Sequence, residues 1–368
     1  MSKEKIKFYS LDRILSYKAQ YNVIFGERSN GKTYASLKRM LKIYVENGKQ
    51  GALIRRWEED FKGKRGTQMF EALVNNGVVA DLTNGEWTKV KYYSHAWYLS
   101  KFDEELNKDV MDEKPFCFGF SISQMEHDKS VSYPNVTTIV FDEFLTRGVY
   151  LPDEFVQFMN VVSTIVRHRK DVTIFMLGNT VNKSCPYFNE MGLTNIKNQE
   201  QGTIDLYSYG DSELRVAVEY CASISKEKES NHYFAFDNPK LNMITGGVWE
   251  MAMYPHSPAK YKPSDIIFTF FIEYEADLLQ CECVNLDGNK FIFIHRKTTE
   301  LKDSENDLIF STDYKHLNNW SRRILRPKNK TEKIIMQFFK DEKVFYQDNE
   351  VGEIVRNYLQ WCNSPTFV

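Results

Sequence analysis

A short segment near the N-terminus constrains the fold of this 368-residue chain more than any other feature. Residues 26–33 read GERSNGKT and match the pattern G-x-x-x-x-G-K-[ST]. The apolar run Tyr21–Phe25 precedes the segment, and an amphipathic stretch, Lys32–Val45, follows it. A strand, a glycine-containing loop and a helix in this order predict a phosphate-binding loop, in which backbone N–H groups surround phosphates at a helix N-terminus.

The side chains of this loop predict a nucleotide site with a metal ion. In loops of this type the lysine, here Lys32, neutralises the β- and γ-phosphates, and the hydroxyl of Thr33 binds Mg²⁺. We therefore expect ATP and Mg²⁺ as ligands. The expected nucleotide-binding set is Gly26, Arg28, Ser29, Asn30, Gly31, Lys32 and Thr33.

Two carboxylates follow a second apolar run, Thr137–Phe141. Asp142 at the end of this strand is expected to hold the Mg²⁺, and Glu143 to orient and deprotonate the attacking water. The adjacent glutamate favours continuous ATP hydrolysis over a slow GTP switch. The alternative for the pair alone is an ordinary strand that ends in surface acids.

Two further features predict catalytic roles. The strand Val172–Leu177 leads into Gly178 and Asn179, and we expect Asn179 to sense the γ-phosphate; turn chemistry at a strand end is the alternative. The cluster VRHRKD, residues 166–171, ends a predicted helix, Glu154–Arg167, for which Asp153 is the expected N-terminal cap. Cations favour helix C-termini, but one arginine could instead complete a neighbouring subunit's site as an arginine finger. Arg167 is preferred, with Arg169 and Arg147 as rivals.

Basic segments are the candidates for contact with DNA. Lys62, Lys64 and Arg65 lie in a short loop, FKGKRGT, that is expected to be flexible. The run RRILRPKNK, residues 322–330, contains no acid. Such segments can contact phosphates without reading sequence, and each is equally compatible with a solvated surface. The candidates in the second segment are Arg322, Arg323 and Arg326. Arg55 and Arg56 end another predicted strand, Ala52–Arg55, and could support the site or form structural ion pairs.

Composition limits the class of protein. The net charge is −2, whereas a protein that coats nucleic acid is usually strongly basic. No apolar run reaches the ~18 residues needed to span a bilayer. The six cysteines show no zinc-ligand spacing, which indicates buried thiols in a reducing compartment. We therefore expect a soluble intracellular protein.

The hydrophobic pattern predicts two domains. The first half alternates short apolar runs with amphipathic stretches, which is typical of an α/β fold with a mainly parallel sheet. Its predicted strands also include Phe116–Ile122. We expect an ATPase domain at 1–195, a linker or small connecting subdomain at 196–232 with a possible strand at Leu214–Tyr220, and a second α/β domain at 233–368. The second domain has predicted strands at Ile266–Ala276, Leu278–Asn285, Lys290–Arg296 and Leu308–Thr312, and helices at Lys315–Leu325 and Thr331–Lys340.

With these motifs in place, the chain resembles the DNA-packaging ATPases (encapsidation proteins, terminase-like motors) of short-tailed Picovirinae bacteriophages. The resemblance covers the first 190 residues best and rests on the order and spacing of GERSNGKT, TTIVFDEF and LPDEF…VRHRKDV…LGNT…PYF. It implies a P-loop domain of the additional-strand class and a C-terminal RNase H-like domain that has lost nuclease activity. A working nuclease would need converging carboxylates, for which Glu273, Asp277 and Asp313 are the candidates.

The resemblance also implies partners and a location. The expected assembly is a homopentameric ring at the capsid portal (connector) protein, which translocates double-stranded DNA with ATP at subunit interfaces and with a packaging RNA as a possible further partner. It works in the host cytoplasm and is absent from the mature virion. By position, Arg167 matches the family's trans-acting arginine and Lys129 a second trans-acting basic residue. The alternatives are another DNA-translocating ring ATPase (a conjugation or segregation pump, or a helicase) and a nucleotide-gated nucleic-acid-binding module.

Overall fold

The computed structural model of the chain forms two compact units, Met1–Glu250 and Met251–Val368. It describes residues 8–127, 131–146, 148, 150–180, 185–196, 198–222, 254–257, 259–275, 277–301, 306–313, 315 and 317–363. Within these ranges, none of the helices is both long enough and apolar enough to cross a membrane.

The first unit is built on a ten-stranded sheet. Its strands are β1 (Tyr21–Gly26), β2 (Gln50–Arg55), β3 (Lys89–Tyr93), β4 (Ala96–Asp103), β5 (Lys108–Met111), β6 (Cys117–Ser121), β7 (Val136–Asp142), β8 (Thr173–Asn179), β9 (Ile204–Ser208) and β10 (Arg215–Tyr220). Their order is β3-β4-β6-β2-β7-β8-β1-β10-β9, with β5 paired to β4. Six neighbouring strands of this order run parallel to one another: β6, β2, β7, β8, β1 and β10.

The helices of this unit cover the sheet. They are α1 (Asp12–Leu15), α2 (Lys32–Asn47), α3 (Lys64–Gln68), α4 (Glu71–Asn75), α5 (Val78–Leu82), α6 (Glu154–Val166) and α7 (Pro186–Glu190), with 3₁₀ helices at Glu58–Phe61 and Ile122–His127. Alternate residues of the central strands enter two different cores. Val23 and Phe25 pack in the core that contains α6 and α7, whereas Ile24 packs in the core that contains α2. Central parallel strands are therefore apolar on both faces, which explains their unbroken apolar runs.

The segment between the two predicted domains differs from the expectation. Residues 196–232 were expected to form a linker or small subdomain, but β9 and β10 lie in this range and extend the first sheet. β10 pairs in parallel with β1, from Tyr21 opposite Val216 to Phe25 opposite Tyr220. Its residues Val216–Tyr220 are buried, so hydrophobic burial attaches this strand to the sheet despite the polar sequence around it. The domain boundaries themselves remain predictions.

The second unit contains a six-stranded sheet. Its strands are β11 (Ile266–Tyr274), β12 (Asp277–Leu286), β13 (Asn289–Arg296), β14 (Ile309–Ser311), β15 (Trp320–Ser321) and β16 (Val344–Tyr346), in the order β15-β14-β11-β12-β13-β16. The first three form an antiparallel meander, while β14, β15 and β16 each pair in parallel. Helices α8 (Lys330–Lys340) and α9 (Asn349–Asn363) and a 3₁₀ helix at Pro263–Asp265 complete the described part of the unit.

Two local expectations are wrong. The helix predicted at Lys315–Leu325 is absent from the described residues of that range, where Trp320–Ser321 instead forms β15 beside β14. Tertiary pairing overrides the weak helical pattern there. Asp153, expected to cap α6, makes no side-chain capping hydrogen bond; the neighbouring Glu154 accepts one from the Leu151 backbone N–H (2.7 Å) instead.

Candidate nucleotide site

Four parallel strands bring the predicted site residues to one edge of the first sheet. The strand β8 lies between β1, which leads into the phosphate-binding loop, and β7, which leads into the two carboxylates. In register, Gly26 is opposite Asn179, and Asp142 is opposite Leu177. Because carboxyl ends of parallel strands share an edge, the loop, the acids and Asn179 face the same space, where ligands of open α/β sheets bind.

The phosphate-binding loop has the backbone conformation that its sequence predicts. Gly31 has φ +95° and Ser29 has φ +60°, so the chain curls before α2 begins at Lys32. The ammonium of Lys32 lies 2.7 Å from the carbonyl oxygen of Glu27, 3.1 Å from Asn30 Oδ1 and 3.5 Å from Asn179 Oδ1. Burial lowers the pKa of Lys32 from its usual value. The buried ammonium of Lys32 therefore donates to oxygen atoms of the protein. The oxygens of a bound phosphate could replace them as acceptors.

The two expected metal ligands lie side by side. The Thr33 hydroxyl donates to Asp142 Oδ1 over 3.0 Å. Burial raises the pKa of Asp142, and the neighbouring Arg55 guanidinium opposes that shift. A hydroxyl and a carboxylate form an oxygen-only donor set, which is the kind that Mg²⁺ prefers. These two residues therefore fit the expected Mg²⁺.

Glu143 lies beside the metal-ligand pair and is held by an arginine. Its side chain is 63% exposed, and its Oε2 lies 2.6 Å from Arg55 NH1. Arg55 also lies 3.3 Å from Asp142 Oδ2, so one partly buried guanidinium contacts both carboxylates. Burial works against the charge of Arg55, but attraction to Asp142 and Glu143 raises its pKa overall. The sequence left open whether Arg55 supports the site or forms a structural ion pair; the adjacency of β2 and β7, which the sequence does not show, brings it to the acids.

Asn179, for which a sensing role was predicted, lies next to the phosphate-binding loop. It ends β8, and its Oδ1 lies 3.5 Å from Lys32 Nζ. The preceding residue, Gly178, is packed against Leu145 so closely that an added Cβ would lie 2.8 Å from the Leu145 side chain. The end of β8 is thus packed directly against the segment that follows Glu143.

The candidate trans-acting residues differ in accessibility. Arg167 follows α6, is exposed, and donates from NH2 to the Val131 carbonyl (2.9 Å). Arg169 instead donates to four backbone carbonyls, those of Tyr133, Pro134, Val136 and Ile165. Arg169 is therefore committed to the fold, which leaves Arg167 the better finger candidate of the two. Lys129 and Arg147 lie outside the described residues.

The N-terminal residues contribute contacts that the sequence did not indicate. The Tyr9 backbone N–H donates to the carbonyl of Asn30 (3.0 Å), and its hydroxyl donates to Glu219 Oε2 (2.6 Å) on β10. Phe8 approaches Gly31, where an added Cβ would lie 3.6 Å from the Phe8 Cβ. This segment therefore supports one side of the phosphate-binding loop. No motif marks these residues in the sequence.

The basic segments separate into exposed and buried cations. Lys62, Lys64 and Arg65 are exposed, but Lys64 and Arg65 begin the helix α3 rather than lying in a flexible loop. In the second unit, Arg322 and Arg326 are exposed. Arg323 is buried: its NH1 donates to the Cys362 carbonyl (2.8 Å), and its guanidinium lies 4.7 Å from the centre of the Trp361 ring. Arg323 therefore stabilises the fold. Contrary to the expectation from the sequence, its buried side chain is not available to contact DNA.

The candidate nuclease acids have partners within the second unit. Glu273 Oε2 accepts from the Ser311 hydroxyl (3.0 Å), and Asp277 Oδ1 lies 2.6 Å from Arg296 NH1. Asp313 is exposed beyond β14. Among the described residues, no group of three or more His, Cys, Asp or Glu side chains is arranged to hold a metal ion.

The strand order, the loop after β1 and the acids after β7 define an α/β P-loop ATPase fold. The chain belongs to the Podovirus DNA encapsidation protein (Gp16) family, whose model matches residues 3–230. A "DNA packaging protein" of Bacillus phage B103 is 30% identical over 183 residues, which are 49% of this chain and 50% of that protein. The chain thus matches about half the length of this curated relative.

Two solved structures share the fold over almost the whole chain. One is described as the bacteriophage Phi-29 viral genome packaging motor assembly, with a TM-score of 0.60 and 19% identity, covering 97% of this chain and 99% of that one. The other is described as the Phi-28 gp11 DNA packaging motor, with a TM-score of 0.54 and 18% identity, covering 99% and 100%. At these identities the likeness establishes the fold alone.

Proposed function

We propose that this protein is an ATP-driven motor that translocates viral double-stranded DNA into a preformed capsid. The observation that carries the proposal is the convergence of Lys32, the Thr33–Asp142 pair and Glu143 at one edge of the sheet. A module that only binds nucleotide does not need a water-activating carboxylate beside the metal ligands. Family membership and the packaging role named for the B103 relative support DNA as the substrate that the motor translocates.

The chemistry follows from the positions of the side chains. Lys32 holds the β- and γ-phosphates of ATP once it exchanges its contact with the Glu27 carbonyl for them. Thr33 and Asp142 would hold Mg²⁺, which would neutralise the charge that develops on the phosphates. Glu143 orients a water for in-line attack and accepts its proton. Asn179, within reach of Lys32 Nζ, detects loss of the γ-phosphate.

Glu143 must leave its ion pair with Arg55 before it can act as a base. While Arg55 NH1 lies 2.6 Å from Glu143 Oε2, that oxygen is engaged in the ion pair. The exposed Arg167 of an adjacent subunit supplies positive charge at the transition state. Hydrolysis therefore takes place at subunit interfaces of a ring, which is expected to be pentameric and to bind the portal protein, with a packaging RNA as a possible further partner.

For the second unit we propose an RNase H-like fold without nuclease activity. The support is its strand order, an antiparallel meander (β11–β13) flanked by two parallel strands (β14 and β15) on the β11 side. The pairing of Asp277 with Arg296 supports the loss of cleavage, because a two-metal nuclease needs carboxylates free to bind ions. Exposed Lys62, Lys64 and Arg65 remain the proposed DNA contacts in the first unit, and Arg322 and Arg326 in the second.

The proposal is tested by steady-state ATP hydrolysis of the full chain with and without linear double-stranded DNA. We expect duplex DNA to stimulate ATP hydrolysis by the wild type. The Glu143→Gln variant should lose ATP hydrolysis both with and without DNA. Plasmid incubated with protein and Mg²⁺ should stay intact. Nucleotide binding without turnover in the wild type, at any DNA concentration, would contradict the motor and favour a nucleotide-gated binding module.

A further inference from the structure

The second arginine at the end of β2 is buried behind the site. Arg56 is 6% exposed, and its guanidinium donates in three directions. Nε donates to Glu154 Oε2 (2.8 Å), NH1 to the backbone carbonyl of Glu143 (3.2 Å) and NH2 to the carbonyl of Phe144 (2.8 Å). Arg56 therefore binds the backbone of Glu143 from inside the protein, whereas Arg55 contacts the carboxylate of Glu143 from the site.

Glu154 fixes Arg56 in this position. It is the first residue of α6 and is 1% exposed. Besides Arg56, its carboxylate accepts from the Leu151 N–H (2.7 Å) and from the Tyr187 hydroxyl (2.8 Å) of α7. The Tyr150 ring lies 5.1 Å from the Arg56 guanidinium carbon. A planar guanidinium with this many fixed partners has one orientation, so its NH1 and NH2 groups define where the two carbonyls lie.

The backbone that Arg56 holds is in an unfavourable conformation. Glu143 has φ +62°, in the left-handed region that non-glycine residues seldom adopt. Such a conformation persists only where surrounding contacts maintain it. Here the next residue is held from the opposite side as well, because the Phe144 N–H donates to the Leu177 carbonyl of β8 (3.1 Å).

We propose that Arg56, backed by Glu154, is a positioning residue that sets the backbone of Glu143 for water activation. The left-handed turn directs the carboxylate to the nucleotide side of the sheet, while the fixed backbone lets the side chain alone move between Arg55 and the attacking water. The inference rests on the proposed ATP hydrolysis. It assigns Arg56 a role in kcat and none in nucleotide binding, because its described hydrogen bonds and ion pair reach Glu143, Phe144 and Glu154 and no residue of the phosphate-binding loop.

The competing explanation is that the Arg56–Glu154 pair only stabilises the fold. Replacing one partner of a buried ion pair leaves an unpaired buried charge and destabilises a protein strongly, whereas replacing both with uncharged residues of similar volume is often neutral. The double variant Arg56→Met/Glu154→Gln removes both buried charges. It also removes the hydrogen bonds from Arg56 to the two backbone carbonyls. A structural role predicts that stability and activity recover together in this variant; a positioning role predicts that only stability recovers.

The experiment compares the full-length wild type, Arg56→Met, the double variant and Arg56→Lys. We expect a lowered thermal midpoint for Arg56→Met and a midpoint near wild type for the double variant. ATP affinity of the double variant should stay within about twofold of wild type, while its kcat falls by about 10- to 100-fold, the scale of a misplacement near 1 Å. Arg56→Lys keeps the charge beside Glu154 but cannot hold both carbonyls, so it should fold and show a reduced kcat.

Hydrogen exchange of the Phe144 and Leu145 amides gives a readout that does not require turnover. We expect faster exchange there in the double variant and unchanged exchange in α2. A double variant with wild-type kcat and wild-type exchange overturns the proposal. A wild type without ATP hydrolysis contradicts the proposed function, and the exchange measurement alone then decides whether Arg56 holds the Glu143 backbone.

Discussion

Both sheets of the molecule carry acids at or near strand ends, but the surroundings of these acids differ. In the first unit, Asp142 and Glu143 share the single guanidinium of Arg55, and Asp142 also accepts from Thr33 of the phosphate-binding loop. In the second unit, Glu273 lies beside Ser311 across the β11–β14 pair, and Asp277 is paired with Arg296. Among the described residues, no phosphate-binding loop faces these acids.

The comparison shows what turns strand-end acids into a candidate catalytic site. Parallel topology gathers side chains at one edge of the first sheet, whereas an antiparallel hairpin, β11–β12, brings Glu273 and Asp277 near each other in the second. Only the first sheet adds a helix N-terminus, a buried lysine with exchangeable oxygen partners and a second acid that is largely exposed. The acids of the second sheet are bound by local partners, which suits a structural role. Variants of the two units should therefore differ in what they change: turnover in the first and stability in the second.

The largest effect is expected from removal of the trans-acting arginine. Arg167→Ala should lower ATP turnover of the assembled protein by about 10³-fold or more, because transition-state charge at the interface is no longer neutralised. Nucleotide affinity and the thermal midpoint should change little, since Arg167 is exposed. The matched control is Arg169→Ala, which removes donors to four backbone carbonyls and should lower the thermal midpoint. An Arg167→Ala protein with normal turnover would remove that assignment.

The next effect tests the exposed acid of the first sheet. Glu143→Gln should lower kcat by about 10²- to 10⁴-fold, because the amide cannot accept the proton of the attacking water. ATP binding should be retained, since Glu143 contacts neither Lys32 nor Thr33 in the hydrogen bonds described here. Glu46→Gln, on the exposed surface of α2, is the control and should leave kcat unchanged. Equal losses in the two variants would show that the assay reports folding and not chemistry.

A smaller effect is expected in the second sheet. Asp277→Asn weakens the pairing with Arg296, whose side chain is 30% exposed, so the loss of stability should be about 1 kcal/mol or less. ATP turnover should be unchanged. Urea titration and the ATPase assay measure the two quantities on the same sample. A fall in turnover larger than the loss of folded protein would break the contrast between the two sheets.

The smallest effect concerns pH. His295 Nε2 lies 3.3 Å from Glu282 Oε1; this contact and the hydrogen bonds from Tyr261 and Gln280 lower the pKa of Glu282 from 4.5 to about 2. The same carboxylate raises the pKa of His295 above 6.5. A lowered carboxyl pKa adds stability above pH 4.5 that is lost as the pH falls towards 2. A raised histidine pKa adds stability below pH 6.5, and this stability is lost as the pH rises through the raised pKa of His295.

Glu282→Gln should therefore destabilise the chain most between about pH 4.5 and the raised pKa of His295, less above that pKa, and least towards pH 2. The thermal midpoint of variant and wild type, measured side by side across this pH range, gives the difference directly. A difference that does not vary with pH would contradict the pairing of Glu282 with His295.

The sequence predicted the parts of the fold that depend on local patterns. The strand before GERSNGKT, the helix after it and the strands that end at Asp142 and Asn179 are present within two residues of their predicted limits. The meander of the second unit also follows its alternating pattern and the turn at Asp287-Gly288. Periodicity and turn chemistry act over a few residues, so one sequence suffices to show them.

The remaining features depend on contacts between distant residues. Arg55 and Arg56 are adjacent in sequence, yet one contacts the acids and the other the backbone behind them, because β2 lies beside β7. The place of β10 next to β1 and the contact of Tyr9 with Glu219 likewise join residues about 200 positions apart. The burial of Arg323 follows from its contact with the end of α9. No local pattern carries this information.

Hydrolysis between subunits is the central claim, and mixing two inactive variants tests it most directly. Glu143→Gln keeps Arg167 but lacks the base, and Arg167→Ala keeps the base but lacks the finger. Each protein is purified alone, and the two are mixed in varying proportion with linear double-stranded DNA and ATP. If Arg167 acts on a neighbour's nucleotide, mixed assemblies contain some interfaces with both residues intact, so ATP hydrolysis should reappear and peak at intermediate proportions. No recovery at any proportion, in mixtures shown to co-assemble, would contradict a site shared between subunits.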